Sequence, residues 1–203
     1  MTGTLLYARS RALPWTLTAL AATVALAGWA ALGTDTAPDP GRVRALVALA
    51  PMLAAAVIGG SLYAPFDELD RTAVRPWWPR RLAHLLAPTA LAGALLALTV
   101  LDEGLALGPA PLLRNLLGCT GVTAAAAVLL GARLSWLPVL GYVGAVIPAA
   151  AGVGGRAVTV WAWPVQPGDR PWAWLIAVTA FLLGTALYAA RGARPENPRA
   201  RGR

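Results

Sequence analysis

The chain has 203 residues, of which 58% are hydrophobic and 13% are charged. Soluble domains carry about a quarter charged residues, so a water-soluble globular domain is disfavoured. A net charge of +8 would by itself be compatible with nucleic-acid binding. The basic residues are all arginines that flank long apolar segments, which is typical of a membrane protein, so no nucleic-acid partner is expected.

Six apolar segments are long enough, or nearly so, to cross the roughly 30 Å hydrocarbon layer as helices. In chain order they cover residues 13–33, 44–64, 82–101, 112–132, 137–153 and 172–190. The fifth is the weakest, because it is short and contains Pro138 and Pro148. None alternates polar and apolar residues as barrel strands do. We therefore predict an all-α, polytopic membrane bundle, with one transmembrane domain over 1–191 and a disordered basic tail over 192–203.

The arginines also predict an orientation. With the N-terminus inside, 12 of the 17 arginines fall in cytoplasmic segments and 5 fall in external ones. The positive-inside rule favours this arrangement over its inverse, so both termini are expected in the cytoplasm. The use of arginine alone, with abundant alanine, glycine and proline, is typical of a GC-rich bacterial genome. We expect a multi-pass protein of the bacterial cytoplasmic (inner) membrane, surrounded by membrane lipids.

Several chemistries are excluded by composition. A phosphate-binding loop of the G-x-x-x-x-G-K-[ST] type cannot exist without lysine, so the chain is not expected to bind ATP. Its one histidine (His84) and one cysteine (Cys119) rule out a His-rich or Cys-rich metal site and an intramolecular disulfide. The predicted spans also lack acidic groups at depth, which argues against an ion-coupled transporter.

One acidic cluster needs a separate interpretation. Asp67, Glu68 and Asp70 could hold Mg²⁺ and a prenyl diphosphate at the membrane surface. Such an enzyme needs a second acidic motif, and the other acidic pair, Asp102 and Glu103, falls on the opposite side in this topology. A lipid-modifying enzyme is therefore the least favoured alternative, and the chain itself is not expected to be an enzyme.

The main cytoplasmic segment, Pro65–Arg81, has the pattern of a short helix at the membrane surface. Proline suits a first turn, and the acidic residues that follow it suit the positive end of a helix dipole. Arg71 and Arg75 come toward the other end, and Pro76 stops the helix. The segment is either a solvated loop with orienting arginines or a docking element for a cytoplasmic partner. Farther along, Trp161 and Trp163 in the external loop 152–171 have the amphipathic character of interface residues.

The stretch PFDELDRTAVRPWWPRRLAH, Pro65–His84, resembles the coupling helix of ABC-2 type permease subunits of ATP-driven transporters, in its acidic-then-arginine pattern. Gly152–Pro171 is similar in position to that family's external re-entrant segment, and the N-terminal segment is shorter than is usual there. The resemblance implies a small bacterial exporter permease for a lipophilic or peptide-like substrate. It further implies a second copy or a homologous permease as partner, and a separate ABC ATPase that carries ATP and Mg²⁺.

The resemblance also implies roles for particular residues. Docking of the ATPase would involve Glu68, Asp70, Arg71 and Arg75. The substrate would pass along proline-kinked faces of the second and fifth spans, near Tyr142 and Pro148. The main alternative is a non-transport membrane module that serves in assembly or immunity and associates stably without an ATPase.

Overall fold

The structure is a computed structural model that describes residues 13–32, 40–63, 77–101, 108–150 and 160–195. These residues are 86% helical and include no strand, which confirms the predicted all-α fold class. Six α-helices of at least 13 residues form the bundle: α1 (Leu13–Leu32), α2 (Pro40–Ser61), α3 (Trp78–Leu101), α4 (Ala110–Leu130), α5 (Leu137–Ala149) and α6 (Pro171–Arg191). Two 3-10 turns, Ala132–Leu134 and Trp163–Val165, precede α5 and α6.

Five stretches of the described chain are long and apolar enough to cross a membrane: Gly41–Ser61, Trp78–Val100, Ala110–Leu130, Ala132–Ala149 and Pro171–Arg191. The chain is therefore a multi-pass membrane protein. The fourth of these stretches combines the Ala132–Leu134 turn with α5, whose own 13 residues extend only about 20 Å.

Two helices begin earlier than the hydropathy pattern indicated. The second and third spans were expected from residues 44 and 82, whereas α2 begins at Pro40 and α3 at Trp78. The apolar segment ends near the first charged residues, but the helical backbone continues past them. Arg42, Arg44, Arg80 and Arg81 consequently lie in or next to the first turns of these helices.

Contacts between helix ends show that the chain passes back and forth. His84 Nε2 lies 2.9 Å from the Ser61 carbonyl oxygen, which joins the end of α2 to the start of α3. The Arg194 N–H donates to the Ala127 carbonyl at 2.9 Å, which brings the ends of α4 and α6 together. We call this the tail end of the bundle. The opposite end, where α2 and α4 begin and where residues 160–170 lie, is called the loop end.

Helix α4 forms the centre of the bundle. Of its span, 67% is buried inside the protein, against 28% for α6 and for the Ala132–Ala149 stretch. It crosses α6 backbone to backbone, since a Cβ added at Gly184 would overlap the main chain of Gly121. A Cβ added at Gly121 would in turn overlap the main chain of Ala180. This close approach fixes α6 against the central helix.

Candidate functional site

The loop end is organised around a fully buried arginine, Arg114, near the start of α4. Its Nη1 and Nη2 donate to the carbonyl oxygens of Pro167 and Gln166, each at 2.7 Å. Its Nε donates to Asn115 Oδ1 at 3.1 Å, and Asp169 is its acidic electrostatic neighbour. A buried cation is tolerated only when its donors are satisfied, so this arginine requires the loop to stay in place.

Asn115 extends the same network to α2. Its Nδ2 donates to the carbonyl oxygens of Val47 at 2.9 Å and Pro164 at 2.6 Å. The Val47 carbonyl would normally accept the N–H of residue 51, but that residue is Pro51, which has none. Asn115 therefore supplies the donor that the proline removes, as the burial of a backbone carbonyl demands. One side chain thus connects α2, α4 and the loop before α6.

An aromatic contact fixes the same loop from another side. Trp163 is buried, and its ring fills the space beside Gly118, where an added Cβ would overlap it. The Tyr142 ring stacks on Trp163 with centroids 6.3 Å apart and planes at 25°. The Tyr142 hydroxyl donates to the Trp161 carbonyl. Both tryptophans were expected at the interface, whereas only Trp161 is exposed, because the missing side chain at position 118 admits the other ring.

A cavity of about 310 Å³ lies at the loop end beside this network. Its walls come from the first turns of α2, the start of α4 and the Trp163–Val165 turn with the residues after it. Val43, Val47 and Val165 are among its apolar lining residues, and Arg44 and Gln166 are its polar ones. It can therefore accept a molecule that combines an apolar part with a negative charge.

A second hollow is a groove of about 550 Å³ between α3, α4 and α6. Small residues of α3 line it (Ala90, Gly93, Ala94 and Ala97), facing Trp174 and Phe181 of α6. Among the described residues no charged side chain lines the groove, and its lining is mainly apolar.

The tail end forms a basic surface, where five arginines of the described chain lie: Arg80, Arg81, Arg133, Arg191 and Arg194. The Arg80 guanidinium lies 4.8 Å from the Trp77 ring centroid, and that of Arg133 lies 5.5 Å from the Tyr63 ring centroid. Arg194 Nη1 also donates to the Leu129 carbonyl at 3.0 Å. Tyr63 and Trp77, the described residues on either side of the segment 64–76, therefore both lie at this basic surface.

The structure describes only some of the predicted site residues. Glu68, Asp70, Arg71 and Arg75 lie outside the described residues, as do positions 196–203 of the predicted tail. Tyr142 is half-buried against Trp163, and Pro148 is exposed on the last turns of α5. Neither Tyr142 nor Pro148 lines the two hollows described above.

Sequence reasoning did not find the Arg114–Asn115 network. Arg114 and Asn115 lie near the start of the predicted span 112–132, and no pattern in the sequence marks their partners. Pro51 was a usable signal, because a proline within a helix always leaves the carbonyl four residues before it without its helical donor. The identity of the replacement donor needs the three-dimensional structure.

Within the described ranges, no group of three or more His, Cys, Asp or Glu side chains could hold a metal ion. Cys119 is buried in the core, packed in the same cluster as Trp163, and His84 is engaged at the α2–α3 junction.

Comparison with known proteins finds no matching family model, no similar curated protein and no similar solved structure.

Proposed function

We propose that this chain is the membrane-spanning permease subunit of an ATP-driven transporter, with six spans and with the tail end facing the cytoplasm. The proposal takes α1 as the sixth span, because its 20 residues extend about 30 Å, the thickness of the hydrocarbon layer. The alternating helix directions bring the end of α6 to the tail end. With an even number of spans, the start of α1 lies there too. In a bacterium this membrane is the cytoplasmic (inner) membrane.

The observation that supports the proposal is the basic surface at the tail end, where Tyr63 and Trp77 flank the segment 64–76 in sequence. The Arg133 guanidinium lies over the Tyr63 ring and that of Arg80 over the Trp77 ring. A cytoplasmic ATPase that binds Glu68, Asp70, Arg71 and Arg75 would therefore sit against a basic, membrane-level surface. Such a surface is electrostatically complementary to a partner that carries acidic groups.

The contacts of α2 suggest how such docking would act on the bundle. A push on the segment 64–76 reaches α2 and α3 directly, because it connects them. Helix α2 is bonded at its far end to Asn115, and through it to the loop before α6. Movement at the cytoplasmic face would therefore shift the external loop as a rigid-body change. ATP and Mg²⁺ would be held by the ATPase, while this chain pairs with a second copy or a homologous permease.

The proposed cargo is lipophilic or peptide-like, and it moves outward. The described spans offer it small apolar residues and no acidic side chain at depth. Its path along α2 and α5 would pass near Tyr142 and Pro148.

The proposal predicts that an ABC ATPase is encoded beside the gene, and the test is co-purification of the full chain with that ATPase. Charge reversal at the docking segment, R71E with R75E, is expected to lower recovery of the ATPase at least about tenfold, since charge pairs at an interface are replaced by repulsion. The control is R42E, which reverses an exposed charge at the loop end. Unchanged recovery with the double reversal, or equal loss with the control, contradicts the proposal.

A further inference from the structure

We propose that the cavity at the loop end binds the anionic headgroup of a membrane phospholipid. The phosphate would lie against Arg44, and the glycerol and first methylene groups would lie against Val43 and Val47. The proposal concerns a binding site, and it does not depend on transport.

The charge of the cavity is the first argument. Arg44 lines it, is exposed, and makes no hydrogen bond or ion pair with another residue that the structure describes. A guanidinium with free donors matches the paired oxygens of a phosphate, and it is less strongly hydrated than an ammonium group. Gln166, which also lines the cavity, adds an amide that can donate to a phosphodiester or a headgroup hydroxyl.

The position of the cavity selects a lipid over a soluble anion. Arg44 lies in the first turn of the membrane-spanning stretch Gly41–Ser61, at the level where headgroups meet hydrocarbon. The apolar wall of Val43, Val47 and Val165 would give nothing to a free phosphate ion, whereas it suits the glycerol backbone and the start of an acyl chain. The volume of about 310 Å³ is at the small end of ligand sites, which fits a headgroup rather than a whole lipid.

The cavity is also held open in advance. The backbone carbonyls of Gln166 and Pro167 accept hydrogen bonds from the buried Arg114. Asn115 fixes Val47 on the opposite wall. Because both walls are hydrogen-bonded to α4, they need little further ordering when a headgroup binds. The entropy cost of binding is therefore smaller than for a flexible site.

The test is native mass spectrometry of the full chain, exchanged into micelles that contain equal amounts of phosphatidylglycerol and phosphatidylcholine. The wild type is expected to retain one phosphatidylglycerol in preference to phosphatidylcholine. R44Q is expected to reduce that preference about tenfold, as for the loss of one charge-assisted phosphate contact. V43W, which fills the cavity but keeps the charge, is expected to reduce retention similarly. The control R42Q removes an arginine that does not line the cavity, and it should keep the preference.

Several outcomes overturn the proposal. One is that R44Q or V43W retains phosphatidylglycerol as well as the wild type does. Another is equal loss with R42Q, which would indicate a general effect of surface charge. A third is displacement of the lipid by soluble glycerol 3-phosphate as readily as by added phosphatidylglycerol, which would show that the apolar wall is not used. Thermal unfolding of each variant is measured alongside, and if R44Q is misfolded, the comparison of V43W with R42Q decides.

Discussion

At the scale of single residues, Asn115 shows how a bundle can keep a proline inside a membrane helix. Pro51 removes one N–H from α2 and leaves the Val47 carbonyl without a helical partner. In lipid no water is at hand to replace that donor, so the protein must supply it. The Asn115 amide does so and uses its second N–H on the Pro164 carbonyl. We therefore expect Pro51 and Asn115 to be energetically coupled.

This coupling predicts a non-additive pair of mutations. N115A is expected to lower the free energy of unfolding by about 2–4 kcal/mol, because two buried carbonyls lose their donor. In a P51A background the new N–H of residue 51 can bond Val47, so N115A is expected to cost about 1 kcal/mol less. The measurement is a double-mutant cycle by denaturant unfolding in detergent micelles.

The matched control for this cycle is P88A. Pro88 lies within α3, and its loss restores a bond to the His84 carbonyl, which Asn115 does not contact. N115A should cost the same in P88A as in the wild type. Equal costs of N115A in the P51A and P88A backgrounds would show that Asn115 does not compensate for the proline.

Arg114 shows why residue contacts were harder to predict than helices. Arg114 lies near the start of the predicted span 112–132, and at such a position snorkelling to water is the usual behaviour of arginine. In the structure it is fully buried and bonded to two backbone carbonyls of the loop before α6. Carbonyls occur at every position, so no side-chain pattern marks which of them a distant arginine will meet.

At the scale of helices, the crossing of α4 and α6 depends on two glycines. Their backbones touch at Gly121 and Gly184, where neither position has room for a Cβ. In a membrane, helix association relies on such close packing, because lipid tails remove the hydrophobic driving force between helices. Burial of the central helix therefore follows from the absence of side chains at these points.

We expect G184A to lower the free energy of unfolding by about 1–3 kcal/mol, as overpacking of a tight contact does. The matched control is G141A, in α5, where nothing lies within 4 Å of an added Cβ. That change should be neutral or slightly stabilising, since alanine favours a helix by up to about 1 kcal/mol over glycine. Thermal unfolding of both variants in micelles makes the comparison, and equal effects would exclude a special role for the crossing.

The sequence predicted the helices themselves well, because long charge-free segments have few alternatives in lipid. It identified the all-α class, and five of its six predicted spans correspond to described stretches that are long and apolar enough to cross a membrane. Helices α2 and α3 begin four residues before the predicted spans 44–64 and 82–101, because a helix can extend beyond the apolar segment that crosses the hydrocarbon. The sequence also could not separate Gly184, at a contact, from Gly141, at an open surface, because composition does not show which face meets a neighbour.

At the scale of the whole molecule, the two ends of the bundle differ in chemistry. Among the described residues, the tail end holds five arginines, two of which lie over the rings of Tyr63 and Trp77. The loop end holds four, of which Arg114 is fully buried and Arg44 lines a cavity. The membrane side of each end stays a prediction.

The orientation can be tested with single cysteines. Cys119 is the only native cysteine and is buried, so C119S provides a background without a reactive thiol. In spheroplasts, a membrane-impermeant maleimide is expected to label T36C, between α1 and α2, and to label T72C only after permeabilisation. The opposite pattern would invert the topology and remove the proposed ATPase docking surface, and labelling of both positions in intact spheroplasts would show that α2 does not span.

The meeting of Gly118 with Trp163 has a consequence for how such a chain can change over time. The indole fills a notch that exists only because position 118 has no side chain, so the two positions share one fixed volume. A larger residue in the notch would expel the ring and release the loop, unless the ring became smaller in the same lineage. We therefore expect correlated substitutions among homologous proteins: a larger residue at position 118 should occur together with a smaller residue at position 163.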